Sequence, residues 1–423
     1  MIKEIEYKKR RNRLLKKLKP NSISIITSAT YKVRSNDTEY PFRQNSNFYY
    51  LTGFTEDNSY LLLIKKSTKT KSILFVQKKE PKKELWNGKR LGEKKAQKRF
   101  LVDEIYDTDM LDAILKLELK DKNTLYYDFN RNEKEINTLQ KKVKNIGTYK
   151  DISYHIGLLR LIKSKAEIAL IQKAIDITAL AHHRAMDCKK INKNEYELQA
   201  ELEYIFKKNG AYNDAYTSIV AGGNNANTLH YIENNQPLKD KELILIDAGC
   251  EYNYYASDIT RTIPTNETFT SAQKELYDMV LDVQLKIIEM IKPNLLRTDL
   301  QKKAIELLTD GMIKLKILKG KKENLIKKEL YKKYYPHGIG HWMGIDVHDE
   351  SPYKYKDGKE IALAKGMVLT VEPGIYIDEN DRDVPKKYRG IGIRIEDDIL
   401  VIDGGFLNMS KNIMKSIKEI ENI

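Results

Sequence analysis

Four carboxylates in this 423-residue chain stand where an acid is costly. Leu243-Ile-Leu-Ile-Asp247 is an apolar run that ends in a carboxylate, and Asp258 follows eleven residues later in Ala256-Ser-Asp-Ile-Thr-Arg261. Glu372 interrupts Val368-Leu-Thr-Val-Glu-Pro-Gly-Ile375, and Glu396 closes the alternating run Ile391-Gly-Ile-Arg-Ile-Glu396. Acids in such segments must be paired or metal-bound to offset their desolvation. Any one of them could be a surface-facing residue on an alternating strand, but that reading fails for all four together with the histidines. None of the seven histidines lies in the first 150 residues. His155, His182 and His183 read as structural, whereas His230, His337, His341 and His348 fall in strand or loop contexts. His337-Gly-Ile-Gly-His341 cannot be a stable helix face, so it must be a loop whose backbone comes close to something.

If the four acids and one imidazole converge, like charges ~4 Å apart repel by about 4 kcal/mol per pair at an effective dielectric of ~20. Two divalent cations would cancel the charge. Mostly hard oxygen donors suit Mn(II), with Co(II), Fe(II) or Zn(II) as alternatives. Two adjacent metals supply a nucleophilic hydroxide and polarise a carbonyl, which is hydrolytic chemistry.

Several elements must position these residues. Ser164-Lys-Ala-Glu167 and Asn194-Glu-Tyr-Glu197 are capping boxes that open two helices. Thr270-Ser-Ala-Gln273 and Thr298-Asp-Leu-Gln301 predict two more. Strands are expected over Leu243–Asp247, Tyr254–Thr262, Met367–Val371 and Ile391–Ile402. Helices grouped against a mainly antiparallel sheet make residues 161–423 an α+β domain. Residues 1–160 read as a smaller α/β domain, with the boundary near 151–163. In it, the helix Met1–Leu18 is stopped by Pro20, and strands are expected at Ser22–Thr27, Tyr60–Ile64, Ser72–Gln77 and Leu125–Phe129. Helices are expected near Gly92–Phe100, Met110–Leu119 and Asn132–Lys144.

The net charge of +15 first suggests nucleic acid. Residues 1–150 carry 35 basic and 19 acidic side chains, and residues 151–423 carry 40 and 41, so the excess lies away from every candidate catalytic residue. Lys71–Phe100 mixes Lys and Arg with Phe75, Trp86 and Phe100, a pattern that single-strand binders use, but a solvated face on a Lys-rich chain is the preferred reading. No helix-turn-helix, RNP or zinc pattern accompanies it. Two cysteines, Cys188 and Cys250, without CxxC spacing fit a reducing compartment. The charged N-terminus has no apolar signal-peptide core and no apolar run approaches membrane-span length, so the expectation is a cytoplasmic protein with no membrane association and no nucleic-acid partner.

The pattern resembles the metallopeptidases of the pita-bread fold. The resemblance rests on Thr228-Leu-His-Tyr231, His337-Gly-Ile-Gly-His-Trp-Met-Gly-Ile-Asp-Val-His-Asp349 and Gly366-Met-Val-Leu-Thr-Val-Glu-Pro-Gly374. Val384-Pro-Lys-Lys-Tyr-Arg-Gly-Ile-Gly-Ile-Arg-Ile-Glu-Asp-Asp398 is most similar to Xaa-Pro aminopeptidases. Phe42-Arg-Gln-Asn-Ser-Asn-Phe-Tyr-Tyr-Leu-Thr-Gly-Phe54 and Glu84-Leu-Trp-Asn-Gly-Lys-Arg-Leu-Gly92 resemble that family's N-terminal domain. The resemblance implies two divalent metals held by Asp247, Asp258, His341, Glu372 and Glu396, with a bridging hydroxide as nucleophile and Glu372 as general base. It implies that His230 and His348 meet the substrate carbonyl, with His337 nearer the substrate-binding surface. Arg394, two residues before Glu396, would orient a ligand carboxylate. The implied substrates are peptides with proline second, and the implied assembly is a homodimer or homotetramer. Trp342, Met343 and Tyr376 are candidate walls for the proline ring, and Trp86 is a candidate to reach a neighbouring subunit's site. An Xaa-Pro dipeptidase is the close alternative, and a non-catalytic peptide- or nucleic-acid-binding relative the remote one.

Overall fold

The computed structural model describes residues 2–130, 143, 146–189 and 193–422. They form two compact units, Met1–Arg160 and Leu161–Ile423. The first is built on a six-stranded mixed sheet. Its strands run in the order Glu104–Asp107, Thr70–Val76, Tyr60–Lys65, Ser22–Thr27, Thr124–Tyr127, Thr148–Asp151. The three adjacent interior strands Ser22–Thr27, Tyr60–Lys65 and Thr70–Val76 pair antiparallel, and the remaining pairs are parallel. Ile23, Ile25, Leu62, Ile64, Ile73, Phe75 and Leu125 form its core with Leu111 and Leu115 from the helix Leu111–Leu119. The helix expected over Asn132–Lys144 lies, but for Val143, outside the described residues.

Part of this unit's positive charge is structural. Arg10 and Arg11 of the helix Glu4–Lys17 are buried and donate to the carbonyls of Tyr50 (3.1 Å) and Leu51 (2.7 Å), next to the end of the helix Ser46–Thr52. In the basic stretch Lys71–Phe100, Phe75 and Phe100 belong to the interior and only Trp86 is exposed. Two of its three aromatic rings are therefore closed to stacking on bases.

Among the described residues of the second unit, all strand pairs are antiparallel. Ile219–Gly222, Leu243–Asp247 and Thr260–Pro264 form one sheet; Val368–Val371, Asp397–Ile402 and Gly405–Asn408 form another. Gly374–Ile377 pairs with Ile391–Arg394. The helix Lys165–Cys188 begins with the expected capping box, Ser164 accepting from the Glu167 N–H and Glu167 from the Ser164 N–H. Thr270 and Gln273 do the same for Ser271–Met290.

The box expected at Thr298 fails. The helix Arg297–Lys314 begins two residues earlier than that cap predicts, with Leu296 as its uncapped N-cap. Thr298 donates instead to Glu360 (2.6 Å), and Gln301 Oε1 accepts from the Ile339 N–H (2.5 Å), inside the histidine loop. Tertiary partners have taken the side chains that local capping would use. The strands also differ from expectation in one consistent way. Tyr254–Thr262 is broken between Tyr255–Ala256 and Thr260–Pro264, with Asp258 in the gap. Ile391–Ile402 is broken between Ile391–Arg394 and Asp397–Ile402, with Glu396 in the gap. Glu372 and Pro373 separate Val368–Val371 from Gly374–Ile377. Proline has no N–H for a ladder, which stops the strand there.

Candidate metal centre

Each break turns a carboxylate into one cavity of about 470 Å³, which Asp247, Asp258, His341, Glu372 and Glu396 all line. Asp247 ends its strand opposite Thr260 in the antiparallel register, so the short return through Asp258 brings both acids to the same end of the sheet. The histidine loop is clamped to the strand before Glu372. Thr370 N–H donates to the His341 carbonyl (3.0 Å), and Glu372 N–H donates to the Ile339 carbonyl (2.9 Å). Between them, a Cβ on Gly340 would lie 2.0 Å from the Thr370 carbonyl oxygen, so only glycine permits this approach.

His341 Nδ1–H donates to the Trp342 carbonyl (3.1 Å), which leaves Nε2 as the nitrogen that can give its lone pair to a metal once deprotonated. That atom lies 3.3 Å from Asp258 Oδ2 and 3.8 Å from Glu372 Oε1. Asp258, His341 and Glu396 each offer one donor atom within 4.8 Å of the others. An imidazole held through its other nitrogen by a carbonyl is the usual arrangement of a metal-ligating histidine. The set of carboxylate oxygens and one imidazole fits a divalent ion.

Surrounding side chains set the orientation of the acids. Asp247 Oδ1 accepts from Tyr216 O–H (2.6 Å), and Oδ2 accepts from Arg394 Nη2 (2.6 Å). Thr260 O–H donates to Glu396 Oε2 (2.7 Å) while its oxygen accepts from Arg394 Nε (3.1 Å). Arg394 Nη1 donates to Tyr376 O–H (3.0 Å), whose proton goes to His337 Nε2 (2.8 Å); His337 Nδ1–H ends the chain on the Gly338 carbonyl (2.8 Å). Buried Arg261 donates to the Glu396 carbonyl (2.6 Å) and pairs with Asp397 (2.8 Å). Asp398 accepts from the Asp258 N–H (3.1 Å).

Sequence reasoning missed Tyr216, Thr260, Arg261 and Asp398. Thr260, Arg261 and Asp398 lie within three residues of named acids, which was a usable signal; Tyr216 is 31 residues from Asp247 and carries none. His230, His337 and His348 all line the same cavity, and the His348 ring lies 4.0 Å from the His341 ring. The expected wall is corrected. Trp342 and Met343 are buried away from the cavity, and Trp342 stacks on Tyr353. Successive side chains of an extended segment face opposite ways, so His341 facing in sends Trp342 out. Tyr376 is buried and serves the hydrogen-bonded chain. Ile219, Leu229, Ile232 and Val347 supply the apolar lining.

Burial, then repulsion from Asp258, Glu372 and Asp247, holds the Glu396 carboxyl far above its usual range. Burial pushes Glu372 up to about 7 against the pull of His341 and Arg394. Burial also opposes charge on His341, but the hydrogen bond and charge of Asp258 overcome it and push the imidazole up to about 9. These groups bind more protons folded than unfolded. Their contribution is therefore present at low pH and lost as pH rises through the folded values. His337, lowered to about 4 by burial and Arg394, is neutral in both states above pH 7 and cannot offset this. The melting temperature of chelator-treated protein should consequently fall between pH 7 and 9, and saturating Mn(II) should remove the fall, since metal ligands bind deprotonated. A metal-free melting temperature that stays level or rises over that range contradicts the assignment.

Buried carboxylates around one imidazole, on an antiparallel scaffold flanked by helices, define a divalent-metal hydrolase. The chain belongs to metallopeptidase family M24, whose model matches residues 169–403; the model of the aminopeptidase P N-terminal domain matches residues 7–126. It is similar to the Xaa-Pro aminopeptidase of Haemophilus influenzae, at 42% identity over 99% of this chain and 96% of that protein. It is also similar to the Xaa-Pro aminopeptidase of Escherichia coli, at 38% identity over 99% of this chain and 97% of that one. Among solved structures, aminopeptidase P from E. coli with the inhibitor Pro-Leu matches with a TM-score of 0.94 and 38% identity, covering 100% of this chain and 98% of that chain. The fold is thus the pita-bread fold preceded by an aminopeptidase P-type domain, and the protein is a metal-dependent aminopeptidase. Among the described residues, no helix is long and apolar enough to cross a membrane.

Proposed function

We propose that the protein removes the N-terminal residue from peptides whose second residue is proline, using two divalent ions, by preference Mn(II), in the cytoplasm. The observation that carries this reading is the joining of the acid-and-imidazole cavity to an N-terminal unit of aminopeptidase P type in one chain, as in its full-length relatives. Proline has no N–H and a fixed φ, so sites that grip an extended chain through that N–H serve it badly. The lining of Ile219, Leu229, Ile232 and Val347 offers the ring apolar contact without asking for a donor.

Asp247, Asp258, His341, Glu372 and Glu396 would hold the metal. When bound, it would supply Lewis acidity and a nucleophile at neutral pH. Glu372, on the cavity wall beside His341, takes the proton of the attacking water and returns it to the leaving prolyl nitrogen. His230 and His348 donate to the carbonyl oxygen as charge develops on it. His337, fixed by Tyr376 and Gly338, shapes the binding surface beside them. Arg394 aims Asp247 through a 2.6 Å pair and opposes the burial that raises its carboxyl.

The unit that carries the basic excess is read as the assembly surface of a homodimer or homotetramer, with Trp86, 85% exposed on the helix Pro81–Asn87, as a residue offered to a neighbouring copy. One preparation tests both statements. With Mn(II), a tripeptide with proline second should yield free N-terminal residue and a prolyl dipeptide by mass spectrometry. The alanine analogue should react at least about 100-fold more slowly. Light scattering should give a mass of two or four chains. Cleavage confined to an Xaa-Pro dipeptide overturns the specificity, and a monomer overturns the assembly.

A further inference from the structure

The loop that bears His230 is held by one carboxylate remote in sequence from every metal-ligand candidate. Glu195, the first residue of the helix Glu195–Lys208, is fully buried. Its Oε1 accepts from the Gly222 N–H (2.8 Å) and the Asn225 side-chain amide (2.8 Å). Its Oε2 accepts from the Tyr231 O–H (2.8 Å) and the Gln236 N–H (2.9 Å). All four donors lie within residues 222–236, the segment that leaves the strand Ile219–Gly222 and passes through His230. Glu195's own N–H donates to the Gln236 carbonyl (3.1 Å), so backbone and side chain grip the same segment. Asn225 also donates to the Tyr231 oxygen (3.2 Å), which closes a triangle of Glu195, Asn225 and Tyr231.

A buried carboxylate with four donors has its charge fully solvated by the protein, and bonds of this kind are about twice as strong as neutral ones. The Tyr231 ring packs with Ile219, Ala221, Ala226 and Leu245, while His230 beside it lines the catalytic cavity. Leu229 and His230 form the turn that the Tyr231 N–H closes on the Thr228 carbonyl (3.2 Å), so fixing Tyr231 fixes the turn that carries His230.

We infer that Glu195 is a positioning residue for His230: it sets, from outside the cavity, the loop geometry that presents the imidazole to the substrate carbonyl. This rests on the reading of His230 as a substrate-facing group. It is tested with Mn(II)-loaded wild-type, Glu195→Gln, His230→Ala and double-variant enzymes, measuring kcat and KM on one proline peptide, metal content and melting temperature. Glutamine places an NH2 where donors point. Glu195→Gln should lower kcat/KM about 10- to 100-fold with metal content unchanged. In the His230→Ala background the same substitution should cost less than about twofold, because coupled residues do not add. Tyr231→Phe, which removes one of the four bonds, should cost about threefold in the wild-type background alone, and it carries the cycle if Glu195→Gln does not fold. Equal losses in both backgrounds, or wild-type kinetics in Glu195→Gln, overturn the positioning role. Wild-type kinetics in His230→Ala overturn the reading of His230 itself, and the inference with it.

Discussion

Replacing Asp258 with Asn should abolish the enzyme while leaving it folded. Asp258 stands at the centre of the donor set: Oδ2 faces His341 Nε2 at 3.3 Å, and its backbone N–H is anchored on Asp398. The amide fills the same space and keeps one oxygen, but it brings no charge to a divalent ion. A bound metal contributes several kcal/mol of transition-state stabilisation. At about 1.4 kcal/mol per tenfold, losing about 4 kcal/mol is about a thousandfold in kcat/KM. Metal analysis should show reduced occupancy, and the melting temperature should no longer respond to added Mn(II). An Asp258→Asn protein that keeps full metal content and at least a tenth of wild-type activity would show that these acids are not the ligands. Reading metal content beside activity separates loss of the ion from loss of fold.

Arg394→Lys should be nearly as damaging, although it keeps the charge. One planar fork serves three partners on three different elements: Thr260, Tyr376 and Asp247. A lysine ammonium on a flexible stem reaches one of them. The Asp247 pair could survive, but Tyr376 would lose its donor and His337 its fixed hydroxyl. Orienting residues of this kind cost about 10- to 100-fold in activity. Arg394→Met goes further and leaves Asp247 buried without a cation, which should destabilise metal-free protein by about 3–5 kcal/mol in denaturant unfolding. Kinetics of Arg394→Lys within about threefold of wild type would mean the fork contributes only charge.

Much of this was legible in the chain itself. The two-part division of charge, the capping boxes at Ser164 and Thr270, and the apolar strand Leu243–Asp247 each report local chemistry, and each recurs in the folded protein. The acids stood out because hydrophobic runs make an acid conspicuous. The glycines of the histidine loop announced a close backbone approach, and Thr370 proves to be what it approaches.

The misreadings share one cause. Tyr254–Thr262 and Ile391–Ile402 alternate well enough to look continuous, yet each breaks at its acid, because the carboxylate must turn toward a cavity that only the assembled sheets create. Thr298 and Gln301 have the spacing of a cap but find Glu360 and Ile339 instead. Trp342 has the composition of a pocket wall but follows His341 on an extended segment, and strand parity sends it into the core.

Sequence alone thus determined which residue types could hold a divalent ion, and a mainly antiparallel α+β scaffold to carry them. Tertiary structure decided the rest: which nitrogen of His341 faces the acids, which hydroxyls and arginines hold each acid, and that Glu195 governs the loop of His230. The physical reason is range. Propensity, periodicity and desolvation cost act within a few residues and are written locally. Hydrogen-bond partners 31, 36 or 147 positions apart are chosen only when packing brings them within 3 Å.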